Sequence, residues 1–117
     1  RPGGERTRHL VKGDVLTALG PQGYLVNTGR GTVVDTAALI DALRSNRIAG
    51  AGLDVVEGEP NVPPRLPELL RFDNVIVTPH VAGRAPESRT AATVLLLANL
   101  NAHFSGNPLP SPVSLKV

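Results

Sequence analysis

The chain has 117 residues and a hydrophobic content of 41%, which fits one globular domain or part of one and argues against disorder. Its formal net charge of +2 is too small to indicate a nucleic-acid partner, and no apolar run approaches the roughly 18 residues that a membrane span needs. The absence of cysteine excludes disulfides, thiolate catalysis and cysteine-ligated zinc, and is compatible with a cytoplasmic location.

The first half of the chain predicts helices and strands in alternation. Residues 14–19 have the apolar spacing of a short helix, and a Gly-Pro pair ends it. Residues 24–27 form a short apolar run with β propensity, after which glycines turn the chain. Asp35 is a suitable N-cap for a helix that reaches Asn46, and residues 48–56 predict a second strand.

The second half continues the pattern after a proline-rich loop. Residues 57–72 contain four prolines and one short helical stretch, and residues 74–78 predict a third strand. Pro86 fits the first position of a final helix over 87–104, which is apolar around most of its circumference, so we expect it to be largely buried. Residues 108–117 contain three prolines and predict an extended tail.

Strands that alternate with helices indicate βαβ units and a parallel sheet, so the predicted fold class is α/β. The strands are nearly continuous in apolar residues, which is typical of a sheet covered on both faces. The carboxyl ends of parallel strands meet at one edge, and binding crevices of open α/β sheets lie outside that edge.

Polar side chains follow each predicted strand at this edge. Arg30 lies between two glycines, where it either binds an anion or is a solvated surface residue. Asp54 ends the second strand as a loop cap or a ligand-binding group, and Glu59 lies in an acidic turn that is either solvated or orients a histidine. His80 ends the third strand, and histidine is the side chain best suited to move a proton near neutral pH.

Other residues of the same types do not share this position. His9 lies in a polar entry segment and His103 in the last turn of a helix, and we assign neither a role. Glu57 lies in the same acidic turn as Glu59. The joint occurrence of a cation, carboxylates and an imidazole at strand ends predicts a site that binds an anionic substrate and transfers a proton.

Five stretches carry a resemblance to a known family: Asn27-Thr28-Gly29-Arg30-Gly31-Thr32-Val33-Val34-Asp35, Ala38-Leu39, Ala51-Gly52-Leu53-Asp54-Val55, Glu59-Pro60 and Thr78-Pro79-His80. They resemble the NAD-binding domain of D-isomer-specific 2-hydroxyacid dehydrogenases, and the entry segment, residues 2–11, resembles the glyoxylate/hydroxypyruvate reductase branch. The resemblance covers nearly the whole chain and implies a Rossmann-like parallel sheet with flanking helices.

The resemblance also implies roles for individual residues. Arg30 would bind the substrate carboxylate, His80 would protonate the carbonyl oxygen as hydride arrives, and Glu59 would hydrogen-bond His80. Glu57 has the wrong offset for that role and would be a bystander. The cofactor, NAD or NADP, would be bound by Thr28, Gly29, Arg30, Asp54, His80, Val81, Ala82 and Gly83, with Asp54 accepting from the nicotinamide carboxamide.

The chain also departs from the complete family pattern. The phosphate-binding motif Gly-x-Gly-x-x-Gly is absent, and so is the substrate domain. The chain begins with arginine and contains no methionine, which favours a piece of a longer protein. We therefore expect residues 1–107 to be the C-terminal part of the dinucleotide-binding domain and residues 108–117 to return towards an absent substrate domain.

The expected activity of the whole protein is reduction of a small 2-oxo acid, glyoxylate or hydroxypyruvate, by a homodimer that binds neither nucleic acid nor membrane. By the same reasoning the piece alone is expected to be inactive. One alternative is a dehydrogenase of formate or phosphite type, although formate enzymes carry Gln at the position of Glu59. Another is a non-catalytic module that binds the dinucleotide for regulation.

Overall fold

The computed structural model describes residues 4–113, which contain three parallel strands and four α-helices. Three short 3₁₀ turns lie at Glu5–Thr7, Gly31–Val33 and Ala82–Arg84. In chain order the main elements are α1 (Gly13–Leu19), β1 (Tyr24–Asn27), α2 (Thr36–Arg44), β2 (Gly50–Leu53), α3 (Leu66–Leu69), β3 (Val75–Val77) and α4 (Pro86–Phe104).

Local sequence explains most of these boundaries. Helix α1 is capped at its C-terminus by Gly20, whose φ of 84° is a left-handed conformation that glycine adopts without strain. Asp35 caps α2 as predicted, because its side chain accepts a hydrogen bond from the amide of Ala38. Strand β2 is shorter than the predicted 48–56, since Val55 and Val56 are buried without belonging to the strand.

The strands form one parallel sheet in the order β1-β2-β3. Asn27 pairs with Leu53, and Leu53 pairs with Val77, so all three strands end at the same level. The backbone hydrogen bonding continues one step further, from the amide of Asp54 to the carbonyl of Asn27 at 2.9 Å. This alignment brings the segments after the strands to one edge.

The core lies on one face of the sheet. Its buried residues come from the helices and strands of the first 81 residues and include Leu16, Leu39, Ile40, Leu43, Leu53 and Leu69. The alternating side chains on the other face are exposed, at 69% for Tyr24 and 70% for both Val26 and Ile76. Within this first unit the core covers one face of the sheet, and the predicted cover of the other face stays a prediction.

A second compact unit begins after Val81 and contains α4. Helix α4 starts at Pro86 as predicted, but none of its residues is buried, so the prediction of a largely buried helix is wrong. Its apolar side chains surround the helix, and covering them would require neighbours on several sides. No helix among residues 4–113 combines the length and apolar character of a membrane span.

The start of the proline-rich tail contacts α4 within this second unit. The side-chain amide of Asn99 donates to the hydroxyl of Ser111 at 2.8 Å and accepts from the Ser111 amide at 3.2 Å. Residues 114–117 lie outside the described residues, so the predicted return of residues 108–117 to another domain stays a prediction.

Candidate active site

The turn that carries Arg30 is fixed by the last residue of β1. The buried side chain of Asn27 donates to the carbonyl of Arg30 at 3.0 Å and accepts from the amide of Gly29 at 3.1 Å. Arg30 itself is exposed, and its guanidinium donates to the carbonyl of Gly29 at 2.9 Å. Because a guanidinium has five N–H donors, this bond leaves it able to form a two-point contact with a carboxylate.

Gly31 allows this turn to approach the segment after β2. A Cβ atom at Gly31 would lie 2.3 Å from both the carbonyl carbon and the oxygen of Val56, and 2.6 Å from the amide nitrogen of Glu57. Only a residue without a side chain fits between the two backbones. The turn after β1 and the turn after β2 are therefore in direct contact.

Asp54 fixes the segment that follows β3. It is 5% exposed, and its Oδ1 accepts from the hydroxyl of Thr78 at 2.6 Å and from the amide of Val81 at 2.8 Å. The backbone carbonyl of Asp54 accepts from the amide of His80 at 2.9 Å. Asp54 thus accepts three hydrogen bonds, and together they hold the chain on both sides of His80.

Glu59 and His80 form an ion pair at the same edge. His80 Nδ1 lies 2.9 Å from Glu59 Oε2, and the other carboxylate oxygen accepts from the amide of Val56 at 2.9 Å. Side-chain exposure is 30% for Glu59 and 53% for His80. The carboxylate orients the imidazole, while the ring remains accessible to a ligand.

The three predicted catalytic residues, Arg30, Glu59 and His80, line one cavity of about 260 Å³. A second cavity of about 540 Å³ shares Glu59 and His80 but is largely apolar elsewhere, with Leu66, Leu70 and Val77 in its wall. The structure thus brings these three residues to one cavity, and their catalytic roles stay a prediction.

The predicted cofactor residues are less completely assembled. Thr28 is exposed and Gly29 partly exposed beside Arg30, and the amide of Val81 is bonded to Asp54. Ala82 and Gly83 belong to the 3₁₀ turn of the second unit. Their predicted contact with the cofactor stays a prediction.

One contact at this edge was not predicted. His9 Nε2 lies 2.8 Å from Glu57 Oε1, and the guanidinium of Arg8 is 3.4 Å from the same oxygen. Forty-eight residues separate His9 from Glu57, so no local sequence pattern could indicate this pair.

The chemistry of this edge fits the nicotinamide end of a dinucleotide. Asp54 is a buried carboxylate at the carboxyl end of the middle strand, and a carboxylate oxygen is a suitable acceptor for a carboxamide N–H. The glycine-rich turn that binds the pyrophosphate in Rossmann domains is not in this sequence.

Comparisons with known proteins agree with this assignment. Residues 1–82 match the family model described as the NAD-binding domain of D-isomer-specific 2-hydroxyacid dehydrogenases. The chain is 48% identical over 107 residues to a hydroxyphenylpyruvate reductase of Plectranthus scutellarioides, covering 92% of this chain and 33% of that protein. It is 49% identical over 109 residues to a glyoxylate/hydroxypyruvate reductase of Arabidopsis thaliana, covering 93% and 34%.

Solved structures give the same result. One similar structure is an NADPH-dependent glyoxylate/hydroxypyruvate reductase of Sinorhizobium meliloti in complex with NADP and malonate. It superposes on this chain with a TM-score of 0.76 at 50% sequence identity, and the match covers 97% of this chain and 35% of the reductase. A D-lactate dehydrogenase of Lactobacillus jensenii with NAD+ superposes with a TM-score of 0.78 at 30% identity, covering 97% and 38%. The chain thus spans about a third of the length of its relatives.

Proposed function

This chain belongs to the D-isomer-specific 2-hydroxyacid dehydrogenase family, in the NAD-binding domain, and from that membership we propose that the whole protein reduces a small 2-oxo acid with NADH or NADPH. The observation that carries the proposal is the Glu59–His80 pair beside Arg30 around one cavity. The names of the relatives support glyoxylate or hydroxypyruvate as substrate.

Each of the three residues has a definite part in the proposed reaction. Arg30 binds the substrate carboxylate through two parallel hydrogen bonds, which fixes the neighbouring carbonyl group. The imidazolium of His80, held at Nδ1 by Glu59, donates its other ring proton to the carbonyl oxygen. A reduced nicotinamide, when bound, supplies the hydride that the carbonyl carbon receives.

The proton balance of this step is closed. The carbonyl oxygen gains one proton to become a hydroxyl group, and His80 is left as neutral imidazole, which recovers a proton from water. Glu59 takes no proton from substrate in this step, because its role is to orient the ring through Nδ1. We propose that Asp54 positions the segment after β3 and accepts from the nicotinamide carboxamide.

The test uses the full-length protein that contains this chain. Consumption of NADH and of NADPH is followed separately with glyoxylate, hydroxypyruvate and hydroxyphenylpyruvate as substrates. We expect turnover with at least one of the small acids and a fall in kcat of about 10²- to 10⁴-fold in His80→Ala. His103→Ala is the matched control, since His103 is an exposed histidine of α4 without an assigned role.

Other outcomes would point elsewhere. Turnover restricted to hydroxyphenylpyruvate would assign a bulky substrate and give the apolar cavity beside His80 a function in binding it. A folded protein that binds dinucleotide without reducing any 2-oxo acid would favour a regulatory module. Size-exclusion chromatography with light scattering tests the homodimer that we propose for the full-length protein.

A further inference from the structure

We propose that His9 is a positioning residue for this site: it connects the turn that carries Arg30 to the turn that carries Glu59. The proposal rests on the proposed function for its catalytic consequence and on geometry for the connection itself. Neither the position of His9 in a polar entry segment nor its distance along the chain from Glu57 suggests such a role.

The backbone of His9 is bound to the first of these turns. Its amide donates to the carbonyl of Thr32 at 2.8 Å, two residues after Arg30. Two residues later, the amide of Val11 donates to the carbonyl of Val33 at 3.0 Å. The carbonyl of Val11 accepts from the amide of Asp35 at 2.9 Å. The entry segment therefore pairs with residues 32–35 along a short parallel contact.

The side chain of His9 is bound to the second turn. Its Nε2 lies 2.8 Å from Glu57 Oε1, and the hydroxyl of Thr36 lies 3.4 Å from the other oxygen of Glu57. The side chains of His9 and Glu57 are only 32% and 25% exposed, so water competes with their contact less than at the surface. The carboxylate of Asp35 lies 3.9 Å from His9 Nδ1, which places the ring between two acids.

The two turns need this connection because Glu57 is only two residues before Glu59. Glu59 itself is held by the amide of Val56, at 2.9 Å, and by His80. Restraining Glu57 therefore restrains the segment 56–59, at the point where Gly31 approaches it from the other turn. A displacement of about 1 Å between reacting groups can reduce a rate by about 10²-fold, so a restraint of this kind has catalytic value.

The backbone geometry of His9 guides the choice of variants. Its φ of 50° is left-handed, a conformation that asparagine tolerates well. His9→Asn thus removes the contact, because its side chain is too short to reach Glu57, without a strong new backbone strain. His9→Gln restores a nitrogen donor close to the position of Nε2 and serves as the conservative variant.

The first measurement is hydrogen exchange of the Val56 amide in the full-length protein. That amide donates to Glu59, so its protection reports the position of the Glu59 side chain directly. We expect exchange about 10-fold faster in His9→Asn, with recovery in His9→Gln. Asp41→Asn is the control, since it removes the carboxylate of another ion pair, that with Arg47. Unchanged exchange, or acceleration of all amides in parallel, would overturn the proposal.

The second measurement is kcat for the 2-oxo acid that the full-length protein reduces. We expect a loss of about 10-fold in His9→Asn but not in Asp41→Asn, and no further loss when His9→Asn is added to Glu57→Ala. Losses that multiply in the double variant, or faster Val56 exchange with unchanged kcat, would overturn the positioning role. If the wild type reduces no 2-oxo acid, the proposed function fails, and exchange alone decides whether His9 holds the Glu59 turn.

Discussion

Asn27 and Asp54, two short polar residues at strand ends, fix the turns that carry the reacting groups. Asn27 bonds the Gly29 amide and the Arg30 carbonyl, and Asp54 bonds the chain on both sides of His80. The sequence indicated Asp54 only as a cap or a ligand-binding group. The structure adds a bracing function that depends on hydrogen bonds from Thr78 and Val81, more than 20 residues away along the chain.

A change at Arg30 tests carboxylate binding. Arg30→Lys keeps the positive charge but loses the planar pair of donors, so we expect KM for the 2-oxo acid to rise about 10-fold or more with a smaller change in kcat. Steady-state kinetics of the full-length protein measure both values. Arg71→Lys, at another exposed arginine, is the control, and an equal rise in KM there would contradict the assignment.

A change at Glu59 tests the ion pair with His80. Glu59→Gln keeps a group of the same size but replaces the carboxylate that lies 2.9 Å from Nδ1 of His80. A ring that is oriented less firmly transfers its proton less efficiently, so we expect kcat to fall about 10-fold or more with a smaller change in KM. Glu68→Gln removes the carboxylate of an exposed ion pair with Arg44 and should leave kcat unchanged; an unchanged kcat in Glu59→Gln would exclude the proposed role of Glu59.

At the scale of the elements, boundaries that depend on local chemistry were predicted well. The limits of β1, the Asp35 cap and the proline at the start of α4 all agree with the structure. Strand β2 was predicted too long because apolar character signals burial, and Val55 and Val56 are buried outside the strand. The contact between His9 and Glu57 was missed because it links segments far apart in sequence.

The contact between the turns after β1 and β2 predicts unequal effects of adding one methyl group. We expect Gly31→Ala to destabilise the full-length protein by about 1–3 kcal/mol, because its Cβ would overlap the backbone of Val56. Gly13→Ala, in α1 with no atom within 4 Å of the added Cβ, should be neutral or stabilising by up to about 1 kcal/mol. Chemical denaturation measures both, and equal stabilities would contradict the close contact.

At the scale of the whole molecule, the chain leaves large apolar surfaces exposed. Tyr24, Val26 and Ile76 are exposed on one face of the sheet, and Leu96 and Leu97 of α4 are 58% and 59% exposed. The sequence shows that these residues are apolar, but whether their side chains are buried also depends on what surrounds them. A pattern within 117 residues does not contain that information when the relatives are about three times as long.

The difference in length between this chain and its relatives gives a prediction for the chain alone. We expect the isolated 117-residue chain to show no detectable reduction of a 2-oxo acid, since it lacks the glycine-rich phosphate-binding turn, whereas the full-length protein turns over. The two proteins are compared at equal concentration in one assay, after circular dichroism has verified that the short chain is folded. Turnover by the short chain would mean that these residues suffice for the reaction.

The common level at which the three strands end has a consequence for insertions and deletions. Each strand has only three or four residues, and successive side chains point to opposite faces. Loss of a single residue from β2 would exchange its buried and exposed positions and withdraw Asp54 and Glu59 from the edge where Arg30 and His80 lie. We therefore expect length variation among functional descendants of this chain to be confined to its connecting loops.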